Sequence, residues 1–521
     1  MSGEDGSLGD SAKQPIASKA KIGLKQFFYG IPRAGSSLLL DFVLTITIWF
    51  YYEYLWANPL VIGIATMLGK FGIALSGFFM GYLSDRFKKN PLGRRKPFIL
   101  MGAPLLALSF IMLYLPHLFL SLNFPNDPTN ILPKDFSLNN QGVFFMWVTI
   151  WVVGFNVAYG MLLTPYQSML PEAFEEKNRL GAAIAENIGN FIASAFVLLF
   201  VFLLPELRAE WGDGPPGEDY TLLILGLALI TLILYIIPLF VIPTSKLDAD
   251  GMEEKMVQPK QLYYQMKRDI RRVLLNSNFV RFVFFIGIAE MGTTITFAVL
   301  TGYLDNVFPF SDDEFIILAL IILIVAVTTT FFWSWFGKKK SIHKAISIAY
   351  VVLFFVVFSS LFIGHTTQGI FISGTIFLNM MLFSLVAEYL YQYVMLANLV
   401  DEDARRTGKS HSGAYHGVLN GVENIFQGLG SLVLGALLLL PNVTVEGNTF
   451  SSGYFWWGPV AAIFIFIALL IFRNTRVDLD EIIKLNKDLD VEDESLSVRK
   501  NFETVFSDIT SLSPDVLIEP F

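Results

Sequence analysis

Twelve long apolar stretches recur along this chain, and they decide what it can become. A helix that crosses a bilayer needs roughly 20 mostly apolar residues. Segments of that kind lie near 27–56, 60–84, 97–122, 141–170, 179–205 and 220–243, and, after a polar stretch, near 278–305, 314–336, 345–363, 370–400, 412–440 and 453–472. In lipid every backbone N–H and C=O must pair within the protein, and helices of this length do so unaided. Of the 521 residues 54% are hydrophobic and only 16% charged, an apolar load that suits a lipid-facing perimeter better than a soluble core. The fold class predicted is an all-α membrane protein of twelve transmembrane helices in two six-helix bundles. Its parts are a tail over 1–26, bundles over 27–243 and 278–472, a central loop over 244–277 and an acidic tail over 473–521.

The basic residues sort the loops. Cytoplasmic loops hold an excess of Lys and Arg. If both termini are cytoplasmic, the inside segments hold Lys13, Lys19, Lys21 and Lys25, the run Arg86, Lys88, Lys89, Arg94, Arg95 and Lys96, and clusters such as Lys267, Arg268, Arg271 and Arg272 or Lys338, Lys339 and Lys340. The outside loops hold only Lys134 and Arg208, beside acids such as Asp127, Glu206, Asp213 and Asp312. An odd number of spans would scramble this arrangement. The N-terminus is polar through Lys25 and lacks a short apolar core with a cleavage site, so the first span is expected to act as the targeting signal.

Several chemistries are disfavoured. There is no cysteine, hence no disulfide, thiolate ligand or cysteine nucleophile. The five histidines show no ligand spacing beyond His411 and His416. No catalytic residue, metal site or cofactor is predicted, and the chain is expected not to be an enzyme. The net charge of −8 points away from nucleic acid.

The halves echo one another. Glu186-Asn187-Ile188 through Ser194 in the fifth span matches Glu423-Asn424-Ile425 through Ser431 in the eleventh, and Tyr166-Gln167 in the fourth matches Tyr391-Gln392 in the tenth. Both matches fall where a six-helix repeat places them.

Between the second and third spans the chain reads Gly81-Tyr82-Leu83-Ser84-Asp85-Arg86, then Gly93-Arg94-Arg95-Lys96-Pro97. This resembles the loop signature of the major facilitator superfamily, in the longer form of the glycoside-pentoside-hexuronide:cation symporters, the melibiose permease and sucrose carrier group. The first span from Tyr29 to Tyr52, the fourth-span ending Pro165 to Glu172, and the stretch Met395 to Asp401 with Thr407, Gly408 and Tyr415 are similar to that family as well. The resemblance implies the major facilitator fold, transport by alternating access, and a conformational gate at Gly81, Asp85, Arg86, Gly93, Arg94 and Arg95. It also exposes departures. The carboxylates of cation-symporting members align with Ile73, Gly77 and Leu163, the span-one aspartate falls near Arg33, and the span-eleven lysine falls on Glu423. The usual sodium site is therefore expected to be lost and replaced by another charge relay.

Ionisable groups deep in a span cost at least a few kcal/mol and so mark functional positions. Arg33 and Lys70 are the bases, and Asp41, Glu186, Glu290, Glu388 and Glu423 the acids. Five carboxylates cannot all be charged beside two bases in a dry cavity, so an exchangeable proton is expected among them. Arg33 or Lys70 is expected to pair with Glu423 or Glu186, with His416 assigned to the same relay. His416, Asn420, Glu423, Asn424 and Gln427 fall on one face of the eleventh helix. That face, opposite Asn187 and Asn190 of the fifth, offers donors and acceptors for a hydroxyl-rich ligand. The substrate-binding candidates are these asparagines and Gln427 with Arg33, Trp151, Tyr159 and Tyr166, the aromatics serving as stacking faces.

The aromatic run Trp49, Tyr51, Tyr52, Tyr54 and Trp56 reads as an interfacial belt, and Asn442-Val443-Thr444 as a glycosylation sequon in an outside loop. The leading expectation is a secondary active transporter of a small solute, a sugar or glycoside by resemblance, coupled to H+ or Na+. It would be monomeric and multi-pass in the cell membrane, its partners membrane lipid and a small-molecule substrate. A carrier of lysophospholipid or another amphiphile, and a non-transporting solute sensor on the same fold, are the alternatives.

Overall fold

The computed structural model describes residues 16–86, 95–120, 138–170, 217–241, 270–308, 310–365, 369–407 and 412–477, with shorter pieces between 174 and 201 and between 264 and 268. A helix at Ile16–Gly30 (α1) leads into α2 at Pro32–Trp49. Pro32 opens α2 because the first helical position needs no N–H and proline presets its φ. The helix then widens into a π-helical turn at Phe50–Tyr54. The N-terminal half continues with α3 (Pro59–Arg86), α4 (Lys96–Tyr114), the short α5 (Pro116–Phe119), α6 (Leu138–Ser168) and α7 (Glu218–Val241). Residues 185–190 and 192–197 between α6 and α7 are helical where the fifth span was expected. The C-terminal half holds α8 (Ser277–Val307), α9 (Asp312–Lys339), α10 (Ile342–Ser359), α11 (Ile370–Thr407), α12 (Ser412–Leu437) and α13 (Gly453–Arg473).

Among the described residues ten helices are long and apolar enough to cross a membrane. α12 falls outside that set because its polar face dilutes its hydropathy, and the fifth span because it is described only in part. Exposed apolar side chains such as Leu320, Ile324 and Phe331 along α9 suit acyl chains as their solvent. The loop from α12 to α13, read from the sequence only as a loop, is a β-hairpin pairing Asn442–Val445 (β1) with Asn448–Ser451 (β2). Asn442 of the sequon is exposed at its start.

Within the N-terminal half α6 packs on α3 and α4, and α7 on α2 and α4; within the C-terminal half α8 packs on α12 and α13, and α10 on α11 and α13. Among the described residues the main contacts between the halves are made by α3 with α12 and α2 with α8. The first pair is antiparallel and built on small residues, which let backbones approach where lipid gives no hydrophobic drive for association. A Cβ at Gly435 would run into Pro59, one at Gly63 would come within 2.8 Å of the Ser431 carbonyl, and one at Gly428 within 3.1 Å of the Met67 carbonyl. The second pair is parallel: Thr301 donates to the Thr45 carbonyl at 3.2 Å and Trp49 Nε1 to Asp305 at 3.0 Å.

These junctions cluster toward the hairpin end of the molecule. Further along, Leu75, Phe79 and Leu83 of α3 are exposed, so are His416 and Asn420 of α12, and nothing lies within 4 Å of where a Cβ on Gly421 would stand. The described halves are thus zipped at the hairpin end and parted at the end that carries α1 and residues 474–477.

Candidate functional site

Where α3 and α12 part, a polar chain crosses from one half to the other. Lys70 Nζ of α3 donates to Gln427 Oε1 of α12 at 2.7 Å, and Gln427 Nε2 donates to Glu290 Oε2 of α8 at 3.1 Å. Thr293 adds a second donor to the same carboxylate oxygen at 3.2 Å. Lys70 and Glu290 are each only 8% exposed. Glu423 and Asp41 also lie within electrostatic reach of Lys70. The amide of Gln427 thus bridges base and acid with both ends matched, oxygen toward ammonium and nitrogen toward carboxylate. The sequence suggests pairing Arg33 or Lys70 with Glu423 or Glu186: Arg33 does act on Glu186 and Lys70 on Glu423 electrostatically, while the hydrogen bond of Lys70 goes to Gln427, because α12 presents Gln427 at the level of Lys70 and Glu423 one turn further into the opening. Beside the chain lies a small cavity lined by Leu40, Thr47, Thr66, Lys70, Asn156 and Ser431 among others.

The sequence echo between halves becomes the same contact twice. Gln167 Nε2 donates to Glu186 at 3.2 Å, and Gln392 Nε2 donates to Glu423 at 3.3 Å. The preceding tyrosines match too: the Tyr166 hydroxyl donates to the Tyr29 carbonyl and the Tyr391 hydroxyl to the Trp333 carbonyl. In the sequence Gln392 stands out only as part of the repeat, and that repeat, which sets it against Gln167, is the signal of its pairing with Glu423.

The other predicted residues separate into groups. Arg33 donates to the Tyr159 hydroxyl at 2.9 Å, and Asp41 accepts from Ser194 at 2.5 Å, so these sit together in the N-terminal half. Asn187, Asn420 and His416 are exposed where the halves are parted, with Asn190 and Asn424 half-buried nearby in sequence; Asn424 donates to the Asn420 carbonyl of its own helix at 2.8 Å. Trp151 meets Trp147 edge to face at 5.8 Å. Tyr166 is fully buried and stacked on Tyr29 at 5.0 Å, which commits its ring and hydroxyl to packing in this conformation. Gly81, Asp85 and Arg86 form the last turns of α3, Gly93 and Arg94 lie outside the described residues, and Arg95 is buried just before α4.

The aromatic run at the end of α2 departs from expectation. Trp49 and Tyr51 are fully buried and Tyr54 nearly so, while Tyr52 and Trp56 are half-buried, so three of the five rings are core rather than an interfacial belt. Within the π-helical turn Tyr51 donates to the Leu113 carbonyl at 2.5 Å, and Tyr52 reaches the Leu438 carbonyl at 3.4 Å. Glu53 accepts from Tyr454 of α13 at 2.5 Å. With Trp49 and Asp305 these contacts close the hairpin end. Tyr454→Phe, which removes a charge-assisted hydrogen bond worth about 1.5–3 kcal/mol, is expected to raise the accessibility of a cysteine placed at Thr301 several-fold in maleimide labelling.

A D-xylose-proton symporter structure superimposes with a TM-score of 0.61 at 14% identity, covering 88% of this chain and 98% of its own. The xylose transporter XylE from E. coli, inward open, gives 0.55 at 15% identity over 90% and 99%. The nucleoside transporter NupG gives 0.53 at 13% identity over 87% and 99%. At these identities the likeness is one of fold. An uncharacterized symporter of Synechocystis is 27% identical over 179 residues, 33% of this chain and 30% of the relative, so the match spans under a third of that protein's length. The family model described as MFS/sugar transport protein matches residues 28–476. The chain therefore belongs to the MFS/sugar transport family of the major facilitator superfamily, and it is a multi-pass membrane transporter rather than an enzyme.

Proposed function

We propose that this transporter carries a sugar or glycoside by alternating access in symport with protons, as a monomer in the cell membrane with both termini cytoplasmic. The observation that carries the reading is the Lys70–Gln427–Glu290 chain, which joins the halves through buried charged groups at the point where they part. A change in charge on the acids around Lys70 alters what holds α3 to α12, and that is how a coupling ion can bias one conformation over another. The polar groups Asn187, Asn420, Glu423 and Asn424 supply donors and acceptors at the open end, facing the cytoplasm under this orientation, and the hairpin end faces outward with the sequon. A xylose-proton symporter among the fold's solved relatives makes the reading economical, and the departures at Ile73, Gly77 and Leu163 favour a proton over sodium.

The test is uptake of labelled pentoses, hexoses and glycosides into proteoliposomes under an inward proton gradient, an inward sodium gradient, or neither. Accumulation above equilibrium with the proton gradient alone is expected. Binding without uptake would identify a sensor, and uptake of lysophospholipid without any sugar would identify an amphiphile carrier. In the same assay Glu423→Gln is expected to equilibrate solute without accumulating it, at a rate that no longer rises as the medium is acidified. An unchanged pH profile would remove Glu423 from coupling.

A further inference from the structure

The C-terminal half contains a second enclosed acid that the Lys70 chain does not use. Glu388, in the middle of α11, is 3% exposed, and neither of its carboxylate oxygens has a hydrogen-bond partner. The Tyr350 hydroxyl of α10 faces it and is itself buried without completing a hydrogen bond. Glu290 of α8 and Glu423 of α12 act on the same place, as does Tyr389 beside Glu388 on α11. α9, which also packs on α11, offers no titratable side chain between Phe315 and Gly337. Lys70, the base of the neighbouring chain, already donates to Gln427.

An ionised carboxylate in such a place is expensive, because it has left water with no counter-charge beside it and only a phenol hydroxyl facing it. Its surroundings are acids and phenols, which compound the cost. Among the described residues no group of three or more acidic or imidazole side chains is placed to hold a metal ion. The repeat that sets Gln167 against Gln392 sets Leu163 against Glu388, so the N-terminal half has no counterpart of this acid.

We propose that Glu388 and Tyr350 form a proton-holding site enclosed in the C-terminal half, loaded and emptied through Glu423. Loaded, the site is a neutral carboxylic acid whose O–H can donate to the tyrosine oxygen. Emptied, the proton has left to Glu423 and the carboxylate accepts from the tyrosine O–H in its place. The inference rests on the proton-symport reading for its purpose, but its occupancy can be measured without any substrate.

The experiment is infrared difference spectroscopy on the full-length protein in lipid films, following the carboxylic C=O stretch of a protonated acid. The wild type in choline chloride buffer at neutral pH is expected to show this band, with a downshift in D2O. Glu388→Gln is expected to lose it, Glu423→Gln to hold it unchanged as the pH is raised because the proton's route out is closed, and Tyr350→Phe to shift its frequency; a band that titrates in Glu423→Gln as in the wild type overturns the role of Glu423. If Glu388→Gln fails to fold, Glu388→Asp supplies the readout by moving the band. Persistence of the wild-type band in Glu388→Gln, or an unmoved band in Glu388→Asp, overturns the proposal. Erasure of the band on replacing choline with sodium also overturns it, since the site would then hold a metal cation. Absence of transport in the uptake assay with the band intact would overturn the symport reading alone.

Discussion

Replacing Lys70 with methionine is expected to destabilise the protein by about 3 kcal/mol, the scale seen when one partner of a buried charge pair is removed, and to abolish solute accumulation. Methionine keeps most of the side-chain volume, so the effect isolates the charge. Glu290, 8% exposed, would retain Gln427 and Thr293 as donors but lose the base that balances it across the chain. The companion Glu290→Gln removes the orphaned acid, and the double variant is expected to recover at least half of the lost thermal stability while staying inactive. Thermal melts in detergent of both single variants and the double provide the cycle that isolates the pairwise term. Simple additivity of the two losses would show that Lys70 and Glu290 do not communicate through Gln427.

Gly435→Val is expected to open the hairpin end. The added side chain meets the Pro59 and Leu60 backbone, which cannot move aside as a side-chain tip could. Overpacking of this sort costs about 1–3 kcal/mol, and the clash exists only while α3 and α12 are zipped. The population should therefore shift by about tenfold or more toward conformations with that end parted, since each 1.4 kcal/mol is a factor of ten. The absence of native cysteine makes this directly readable: Thr301→Cys, buried at the junction of α2 and α8, should label with maleimide about tenfold faster in the Gly435→Val background. Equal labelling rates with transport intact would mean that this seam does not control access.

Much of the fold was legible because hydropathy is nearly a sufficient signal in a membrane: length and apolarity fixed most spans to within a few residues, and the even count followed from the placement of Lys and Arg. The in-span charges also stood out, since each is costly and needs a reason to be there. What the sequence could not rank was partner choice. The sequence places Gln427 on the polar stripe of α12 without showing that it lies between Lys70 and Glu290; nothing in periodicity tells which residue of such a stripe meets a base on a distant helix. The aromatic run after Ile48 misled for a different reason. Rings near a span's end usually sit at the interface, but here Tyr51 turns into the N-terminal half, onto the Leu113 carbonyl, while Trp49 and Tyr52 reach across to Asp305 and Leu438 of the other half. The hairpin at Asn442–Ser451 was invisible because its two strands are four residues each, too short for alternation to show.

The meeting of Lys70 with Gln427 at the level where α3 and α12 separate has a mechanical consequence. Two crossed rods bound at one end and free at the other swing about the last point at which they touch, and here that fulcrum is an ammonium held by an amide. On the proton-symport reading, neutralising a nearby acid would loosen the pivot itself. A compound wedged at this depth would stop the swing and the charge exchange together, whatever solute the protein carries.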